Sequence, residues 1–484
     1  MKKFLSLLLA VLMLVCALPG ALAQEEASAP KYVFMFIGDG MGNPQVAATQ
    51  YYLGSIENPQ SEFPVPADLS FTRFEALGMV TTYDASSFCP DSASTATSMA
   101  SGEKTLSGVI NYDVTLTTPF KLITEYAKEA GYKIGVISSV SVDHATPAAY
   151  YAKQPSRNDY YEIALQAVNG DTVDYLAGGG FKKNADELLA LAQENGFTVT
   201  QNNDEVRALT ADAGRVLAIN PVLQDSKAIH YEIDRERLTA QGEDILSLAD
   251  FVRAGINVLD NENGFFLMCE GGKIDWAGHA NDAATSIHET LAFSDAVQVA
   301  VDFAAEHPEE TLIIVTADNE TGGMTIGFAT TAYDTHFDYL TNQTISFTDF
   351  DGVIATMRES GATFEEALEQ IKTYYGLTTE PDQPLTLTDA ELESLKNAFD
   401  LSMTAKDARV IGEQEALLYG GYEPLSMAVS HVINNKAGLS YTSYAHTGLQ
   451  IPVYATGVGA QTFSGLYDNT DIFNRTMQVM GLSK

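Results

Sequence analysis

The strongest constraint on the fold is a series of short, continuous apolar runs separated by amphipathic stretches. A strand covered by helices on both faces is apolar throughout, whereas a strand with one wet face alternates. Between two of the runs, residues 288–306 have helical spacing and end at His307-Pro308. This alternation predicts an α/β fold, a doubly wound and mostly parallel sheet flanked by helices. The predicted strands are residues 32–37, 135–137, 265–269, 312–315 and 451–455.

The stretch from about residue 328 to 439 breaks this pattern. It holds helix-like segments at 364–375 and 389–399, while 378–384 is a polar loop, and strands do not alternate with helices there. We interpret 328–439 as an inserted cap within an α/β domain that runs from residue 31 to 484.

The N-terminus has the pattern of a secretory signal. Lys2 and Lys3 precede an apolar run at residues 4–18, which is short for a membrane span, and residues 21–23 form a small-x-small cleavage site. We therefore expect a signal peptide at 1–23, a leader at 24–30, and a secreted or periplasmic protein with no membrane contact after cleavage. A membrane anchor is the alternative reading.

Net charge restricts the partners. The chain has 27 Lys+Arg against 64 Asp+Glu, a formal charge of −37. A phosphate backbone would be repelled, so we expect no nucleic-acid binding. An anionic substrate would need a local concentration of positive charge.

Beyond the signal, Cys89 and Cys269 are the only cysteines. Two cysteines make no disulfide framework, although a bridge between them stays open.

Acidic and imidazole side chains follow or precede the apolar runs. In an open α/β sheet, ligands bind beyond the carboxyl ends of strands. Asp39 and Asp318 each follow a run and are followed by glycines. Asp275 and His279 are four residues apart, so one helical turn can place both on one face, a pairing that suits Zn²⁺. His446 comes just before the last run. Each of these residues also has an alternative interpretation. Asp39 can be a helix-capping residue in a plain turn, Asp275 and His279 can be a surface pair, and His446 can be a structural histidine.

Ser92 begins a stretch of small residues, Ser-Ala-Ser-Thr-Ala-Thr, directly after Asp91. Such a stretch can open a helix packed tightly on the sheet. Ser92 would then lie at the helix N-terminus, where backbone N–H groups favour anions. The commoner role of a serine there is that of an N-cap.

Taken together, these motifs resemble the alkaline phosphatase family of metal-dependent phosphomonoesterases. The resemblance covers about residues 31–328 and 444 to the C-terminus. The motifs occur in the family's order: Asp39-Gly40-Met41-Gly42, Asp91-Ser92-Ala93, His144-Ala145-Thr146-Pro147, Glu270 with Asp275 and His279, Thr316-Ala317-Asp318, and His446-Thr447-Gly448.

The resemblance implies a secreted hydrolase of small phosphorylated substrates that acts through a phosphoseryl intermediate on Ser92. Arg157, eleven residues after Thr146, matches the family's phosphate-clamping arginine, and Asp91 would orient it. Phosphoryl transfer needs mainly positioning and charge stabilisation, which divalent cations and an arginine supply. They also supply the local positive charge that an anionic substrate needs and that the acidic chain lacks. Dimers are common in the family, so a homodimer is a further expectation.

The resemblance also implies three metal sites. The metal-ligand set is Asp275, His279 and His446 for a first Zn²⁺; Asp39, Asp318 and Ser92 for a second metal; and Asp39, Thr146 and Glu270 for Mg²⁺. Asn319 stands where the family usually has a histidine. An all-oxygen set there favours a harder ion than Zn²⁺. His144 replaces a carboxylate seen near the magnesium in some members, and we count it with Asn319 among the candidate metal-binding residues.

Two other functions remain open at this stage. One is a sulfatase or phosphodiesterase of the same superfamily, although the sulfatase motif Cys/Ser-x-Pro-x-Arg does not occur at Ser92. The other is a phosphate- or metal-binding protein with weak turnover because of Asn319.

Trp276, the single tryptophan, either faces the phosphate pocket or packs in the core.

Overall fold

A computed structural model describes residues 29–484. The signal-peptide prediction for residues 1–23 and most of the 24–30 leader lie outside the described residues. In the part that is described, we find no helix whose length and apolar character would let it cross a membrane.

The core of the molecule is a ten-stranded sheet. Its strands are β1 Tyr32–Ile37, β2 Ala76–Thr81, β3 Lys133–Ser138, β4 Tyr175–Gly178, β5 Phe197–Thr200, β6 Arg215–Ile219, β7 Phe265–Glu270, β8 Thr311–Thr316, β13 Ile451–Gly457 and β14 Gly465–Asp468. Their order across the sheet is β14-β2-β13-β8-β1-β7-β3-β4-β6-β5. Only β13 runs antiparallel to its two neighbours, and the other pairs are parallel. The predicted α/β class and mostly parallel sheet are therefore confirmed.

Helices cover both faces of the sheet. Their apolar faces are buried against the strands, and several begin with a side-chain cap that satisfies a free backbone N–H. The α-helices are Asn43–Glu57, Ser92–Ser101, Ile123–Glu129, Ala145–Ala148, Tyr160–Asn169, Ala185–Glu194, Asn203–Arg207, Glu232–Ala240, Leu248–Leu259, Lys273–His279, Ala283–Glu306, Phe347–Ser360, Phe364–Tyr375, Asp389–Ser402, Glu413–Tyr419, Pro424–Ala437 and Thr470–Val479.

The segment that breaks the strand–helix alternation is helical and has its own core. It starts and ends at a small ribbon in which β10 (Thr325–Ile326) pairs antiparallel with β11 (Leu439–Ser440). A second buried cluster, which includes the fully buried Phe350, Ile371 and Ile433, fills this segment. The same cluster includes Ala277 and Ala280 at the helix that carries Asp275. The segment is therefore packed onto the side of the site.

Several elements differ from the sequence-based expectation. The helix expected at 288–306 begins at Ala283, because Asp282 caps it through the backbone N–H of Thr285. The 389–399 helix extends to Ser402. Strands β2, β4, β5, β6 and β14 were not predicted, since they are short or, like β2, alternate between buried and exposed residues. Cys89 and Cys269 are both free thiols, the first exposed and the second buried.

Candidate active site

The site begins where three adjacent central strands end. In the register of the sheet, Ile37 of β1 pairs with Glu270 of β7 on one side and Thr316 of β8 on the other. The residues that follow β1 and β8 thus bring Asp39 and Asp318 to the same edge as Glu270, and all three are buried. Gly40 makes this approach feasible, because its φ is +76° and a Cβ there would lie 2.7 Å from the Cα of Asp275.

Asp275, His279 and His446 form one group of ligand atoms. Each offers one atom within 4.8 Å of the others. The Nε2 atoms of His279 and His446 lie 3.3 Å and 3.2 Å from Oδ1 of Asp275. The helix Lys273–His279 supplies the first two ligands. His446 lies in β12 (His446–Thr447), just before the reversed strand β13.

Backbone carbonyls orient both imidazoles. Nδ1 of His279 lies 2.7 Å from the carbonyl oxygen of Tyr444, and Nδ1 of His446 lies 2.6 Å from that of Pro90. A carbonyl oxygen only accepts, so each Nδ1 carries the hydrogen, and Nε2 of the neutral ring keeps a lone pair toward Asp275. Metal-binding histidines in proteins are oriented in this way. The three residues therefore fit a zinc ion with one open coordination position.

The electrostatics of this group favour a cation. Burial alone would raise the pKa of Asp275, but His279 and His446 outweigh it and hold that pKa well below its ordinary value. Burial would lower the pKa of His446, yet Asp275 raises it to about 9. The aspartate thus favours positive charge next to the rings, and a bound metal ion supplies the same charge while the rings stay neutral.

A second cluster surrounds Asp39. The Ser92 hydroxyl donates to Oδ1 of Asp39 at 3.4 Å, and Nδ2 of Asn319 donates to the same oxygen at 3.4 Å. Asp318 accepts from the backbone N–H of Gly40 at 3.3 Å and from the Thr95 hydroxyl at 3.2 Å. Burial and the carboxylate of Asp318 raise the pKa of Asp39 well above its ordinary value. The potential metal-binding atoms at this cluster are oxygens.

Glu270 and Thr146 lie on the other side of Asp39. The Thr146 hydroxyl is 3.5 Å from Oδ2 of Asp39. Ser138 donates to Oε2 of Glu270, while Oε1 is buried without a partner among the described residues. Burial raises the pKa of Glu270 to about 7. An unpaired buried carboxylate oxygen is costly, and a cation next to it would remove that cost.

Thr321 connects the two clusters and was not singled out from the sequence as a site residue. Its hydroxyl is 2.5 Å from Oδ1 of Asp275 and 2.8 Å from Oδ1 of Asn319. The signal that could have identified it is its position two residues after Asn319, in the short buried strand β9 (Glu320–Thr321). Thr321 therefore fixes the side chain that departs from the family pattern.

Ser92 is the first residue of the fully buried helix Ser92–Ser101. The alternative reading of Ser92 as the N-cap is wrong, because Asp91 is the cap and accepts from the N–H of Ser94 at 3.1 Å. Asp91 also accepts from Nη1 of Arg157 at 2.8 Å. Burial opposes ionisation of Asp91, but Arg157 outweighs burial and lowers its pKa. One carboxylate thus fixes both the serine helix and the arginine.

These groups open into a cavity of about 370 Å³. The residues of the predicted site that line it are Ser92, Arg157, Asp275, His279 and His446. The rest of the wall contains residues that the sequence analysis did not identify, together with His144 and Trp276, whose ring centroids are 5.8 Å apart. The wall residues found only in the structure are Asp225, Ser226, Tyr231, Phe347 and Tyr422. Trp276 therefore faces the pocket, while no described hydrogen bond joins His144 to Asp39 or Glu270.

Comparisons with known proteins agree on one family. The family model for alkaline phosphatase matches residues 30–183 and 169–482. Alkaline phosphatase 3 of Bacillus subtilis is 30% identical over 487 residues, covering 96% of this chain and 93% of that protein. A cold-active alkaline phosphatase from a psychrophilic Shewanella species is 28% identical with a TM-score of 0.76, covering 93% of this chain and 99% of that one. The alkaline phosphatase of Thermus thermophilus, 24% identical with a TM-score of 0.76, covers 96% of this chain and 95% of its own and shares the fold.

Proposed function

The chain belongs to the alkaline phosphatase family, and from this membership we propose that it hydrolyses phosphate monoesters through a phosphoseryl intermediate on Ser92. The observation that carries the proposal is the cavity in which Ser92, Arg157 and the Asp275, His279 and His446 group meet. A nucleophile, an anion clamp and a cation-binding group in one cavity are what phosphoryl transfer requires.

In the first half of the reaction, Oγ of Ser92 attacks phosphorus, and the bond from phosphorus to the leaving-group oxygen breaks. The Ser92 hydroxyl donates to Oδ1 of Asp39 at 3.4 Å, so this carboxylate can take the proton of the attacking oxygen, while the departing oxygen takes a proton from solvent. In the second half, water attacks the phosphoserine, releases inorganic phosphate and restores the hydroxyl. The N-terminal backbone amides of the helix Ser92–Ser101 stabilise negative charge next to the nucleophile.

Arg157 would hold the non-bridging oxygens of the phosphate. Its guanidinium is fixed by Asp91 through one nitrogen, which leaves further N–H groups for the substrate. Because the arginine and the serine helix share Asp91, the clamp and the nucleophile keep a constant distance.

We further propose that Asp275, His279 and His446 hold Zn²⁺ and that Asp39, Thr146 and Glu270 hold Mg²⁺. Asp39, Asp318 and Ser92, with Asn319 beside them, would hold a second metal, either Zn²⁺ or a harder divalent ion. The His144 ring faces the cavity and contributes to its wall. Such ions stabilise the charge that develops on the attacking and leaving oxygens. Elemental analysis of the purified protein, followed by chelation and re-addition of Zn²⁺, Mg²⁺, Mn²⁺ or Co²⁺, tests these assignments.

The Ser92→Ala variant tests the nucleophile. We expect hydrolysis of p-nitrophenyl phosphate to fall by several orders of magnitude, and labelled phosphate to be trapped on the native protein but not on the variant. Ser98→Ala is the matched control, because Ser98 is buried in the same helix and its hydroxyl donates only to the carbonyl of Ser94. Unchanged hydrolysis by Ser92→Ala would exclude the proposed intermediate.

The substrate class is tested against two alternatives, a sulfatase and a phosphodiesterase. We expect p-nitrophenyl phosphate to be the preferred substrate over bis(p-nitrophenyl) phosphate and p-nitrophenyl sulfate. A weakly active phosphate-binding protein would bind inorganic phosphate but hydrolyse all three substrates only slowly.

Export to the periplasm or medium is proposed from the sequence of residues 1–23 alone. N-terminal sequencing of the protein recovered outside the cytoplasm should begin at Gln24.

A homodimer is proposed from family membership, and light scattering of the purified protein measures the molecular mass that tests it.

A further inference from the structure

We propose that the cavity contains a second subsite, formed by Tyr231, Trp276, Phe347 and Tyr422, that binds a planar aromatic leaving group. This inference rests on the proposed phosphomonoesterase activity and specifies the substrates that it prefers. The four residues are here called the aromatic wall.

The rings of the aromatic wall are neighbours in space although they come from four places in the chain. The ring centroids of Tyr231 and Phe347 are 5.6 Å apart, and those of Phe347 and Tyr422 are 6.0 Å apart, both pairs edge-to-face. Trp276 is linked to them through Lys273, whose Nζ lies 3.5 Å from the ring centre of Tyr231 and 5.8 Å from that of Trp276. These are attractive aromatic and cation–π distances.

The aromatic wall lies beside the reacting groups, and two of its four side chains are open to a ligand. All four residues line the cavity that Ser92 and Arg157 line. Trp276 and Tyr422 are partly exposed, whereas Tyr231 and Phe347 belong to the second buried cluster. Partly exposed aromatic rings beside a polar reaction centre are typical of a ligand pocket, in which a ligand covers the apolar surface.

Polar contacts hold the backbone at the two buried residues of the wall, Tyr231 and Phe347. Gln224 accepts from the backbone N–H of Tyr231 at 2.9 Å and donates to Asp234 at 2.8 Å and Asp349 at 2.7 Å. Asp282 accepts from the backbone N–H of Phe347 at 3.0 Å. Because these contacts fix the backbone that carries the two rings, less entropy is lost when a ligand stacks on the wall.

The positive charge next to the aromatic wall is paired with a carboxylate. Lys273 is fully buried, and its Nζ lies 3.0 Å from Oδ1 of Asp225, which also lines the cavity. The ammonium therefore has a carboxylate partner and is not available for a second phosphate. The wall is suited to a neutral aromatic group, and the cavity of about 370 Å³ is at the small end of ligand pockets. The occupant is thus the leaving group of an aryl phosphate.

Tyr422 is the residue to change, because it is partly exposed and its loss leaves the buried rings in place. We compare Tyr422→Leu with Tyr422→Phe, which keeps the ring, using phenyl phosphate and glycerol 2-phosphate as substrates. We expect kcat/KM of Tyr422→Leu to fall roughly three- to tenfold for phenyl phosphate and to stay within about twofold for glycerol 2-phosphate. Tyr422→Phe should retain the native preference.

Binding of phosphonates tests the subsite without turnover. Fluorescence of Trp276, the single tryptophan, reports binding of phenylphosphonate and methylphosphonate to the native holoprotein. We expect phenylphosphonate to bind roughly three- to tenfold more tightly, and Tyr422→Leu to remove that difference. Equal affinities in the native protein, or equal losses for both substrates in Tyr422→Leu, would overturn the proposal. Absence of hydrolysis with both substrates would instead contradict the proposed function, while the phosphonate titration still decides the subsite.

Discussion

Nδ1 of His446 lies 2.6 Å from the carbonyl oxygen of Pro90, two residues before Ser92. One hydrogen bond therefore joins a residue of the Asp275 group to the turn that presents the serine, across 356 positions of sequence. The contact fixes the ring so that Nε2 faces Asp275. We therefore expect changes at His446 to affect both the proposed zinc site and the position of Ser92.

Replacing His446 tests this coupling. For His446→Ala we expect loss of about one zinc ion per chain and a fall in kcat/KM of at least roughly a hundredfold, because one ligand and its carbonyl contact disappear together. Metal analysis and p-nitrophenyl phosphate assays measure the two effects. His336→Ala is the control, since His336 stacks on Tyr339 at 4.7 Å outside the cavity. Full zinc content in His446→Ala would contradict the assignment of this ligand.

Arg157 is expected to act as a two-pronged clamp, which a lysine cannot reproduce. Arg157→Lys keeps the positive charge near Asp91 but loses the planar fork. We expect the inhibition constant for inorganic phosphate to rise roughly tenfold or more, since a charged hydrogen bond is worth about 1.5–3 kcal/mol. Competitive inhibition assays measure it, with Arg253→Lys, at an exposed position, as the matched control. An unchanged constant would show that Arg157 does not touch the phosphate.

We expect Asn319 to decide which ion the proposed second metal site prefers. Its Oδ1 accepts from Thr321 and its Nδ2 donates to Asp39, so the amide is held in the oxygen cluster. Asn319→His adds a nitrogen ligand, and we expect higher zinc occupancy of that site, because imidazole is a preferred zinc ligand. Metal analysis of both proteins after equal exposure to Zn²⁺ and Mg²⁺ measures the change. Identical zinc stoichiometry would mean that position 319 does not contact the ion.

Asp351, which lies outside the cavity, is half-buried in a way that predicts a pH dependence of the stability of the fold. Burial raises its pKa to about 7, although the Ser426 hydroxyl donates to it. In the unfolded chain this carboxyl loses its proton near pH ~4. The folded state therefore binds more protons between these values, and stability falls as pH rises from about 4 to about 7.

Asp351→Asn removes this titration. We expect the melting temperature of the variant, relative to the native protein, to be higher at about pH 8 than at about pH 5. Thermal unfolding of both holoproteins at each pH measures how the difference in melting temperature between variant and native protein changes with pH. Asp400→Asn, at an exposed helix position, should show no such change. A pH-independent difference for Asp351→Asn would mean that its carboxyl ionises normally in the fold.

The sequence predicted the central strands because strands covered on both faces have a simple local signature. Residues 32–37 are apolar throughout and occupy the middle of the sheet. The pairing of Asp275 with His279 is equally local, since a spacing of four residues places them on one turn of any helix. Edge strands such as β14 have no comparable signature, because one face stays exposed to solvent.

The sequence by itself determined the fold class, the helix that carries Asp275 and His279, and the residues expected to react. Only the tertiary structure decided how His446, Thr321 and the aromatic wall join them. His446 reaches the carboxyl edge because β13 runs opposite to its neighbours, so the start of that strand lies where the other strands end. Strand direction and the packing of an inserted segment depend on contacts between residues far apart in the chain, and local periodicity carries no information about those contacts.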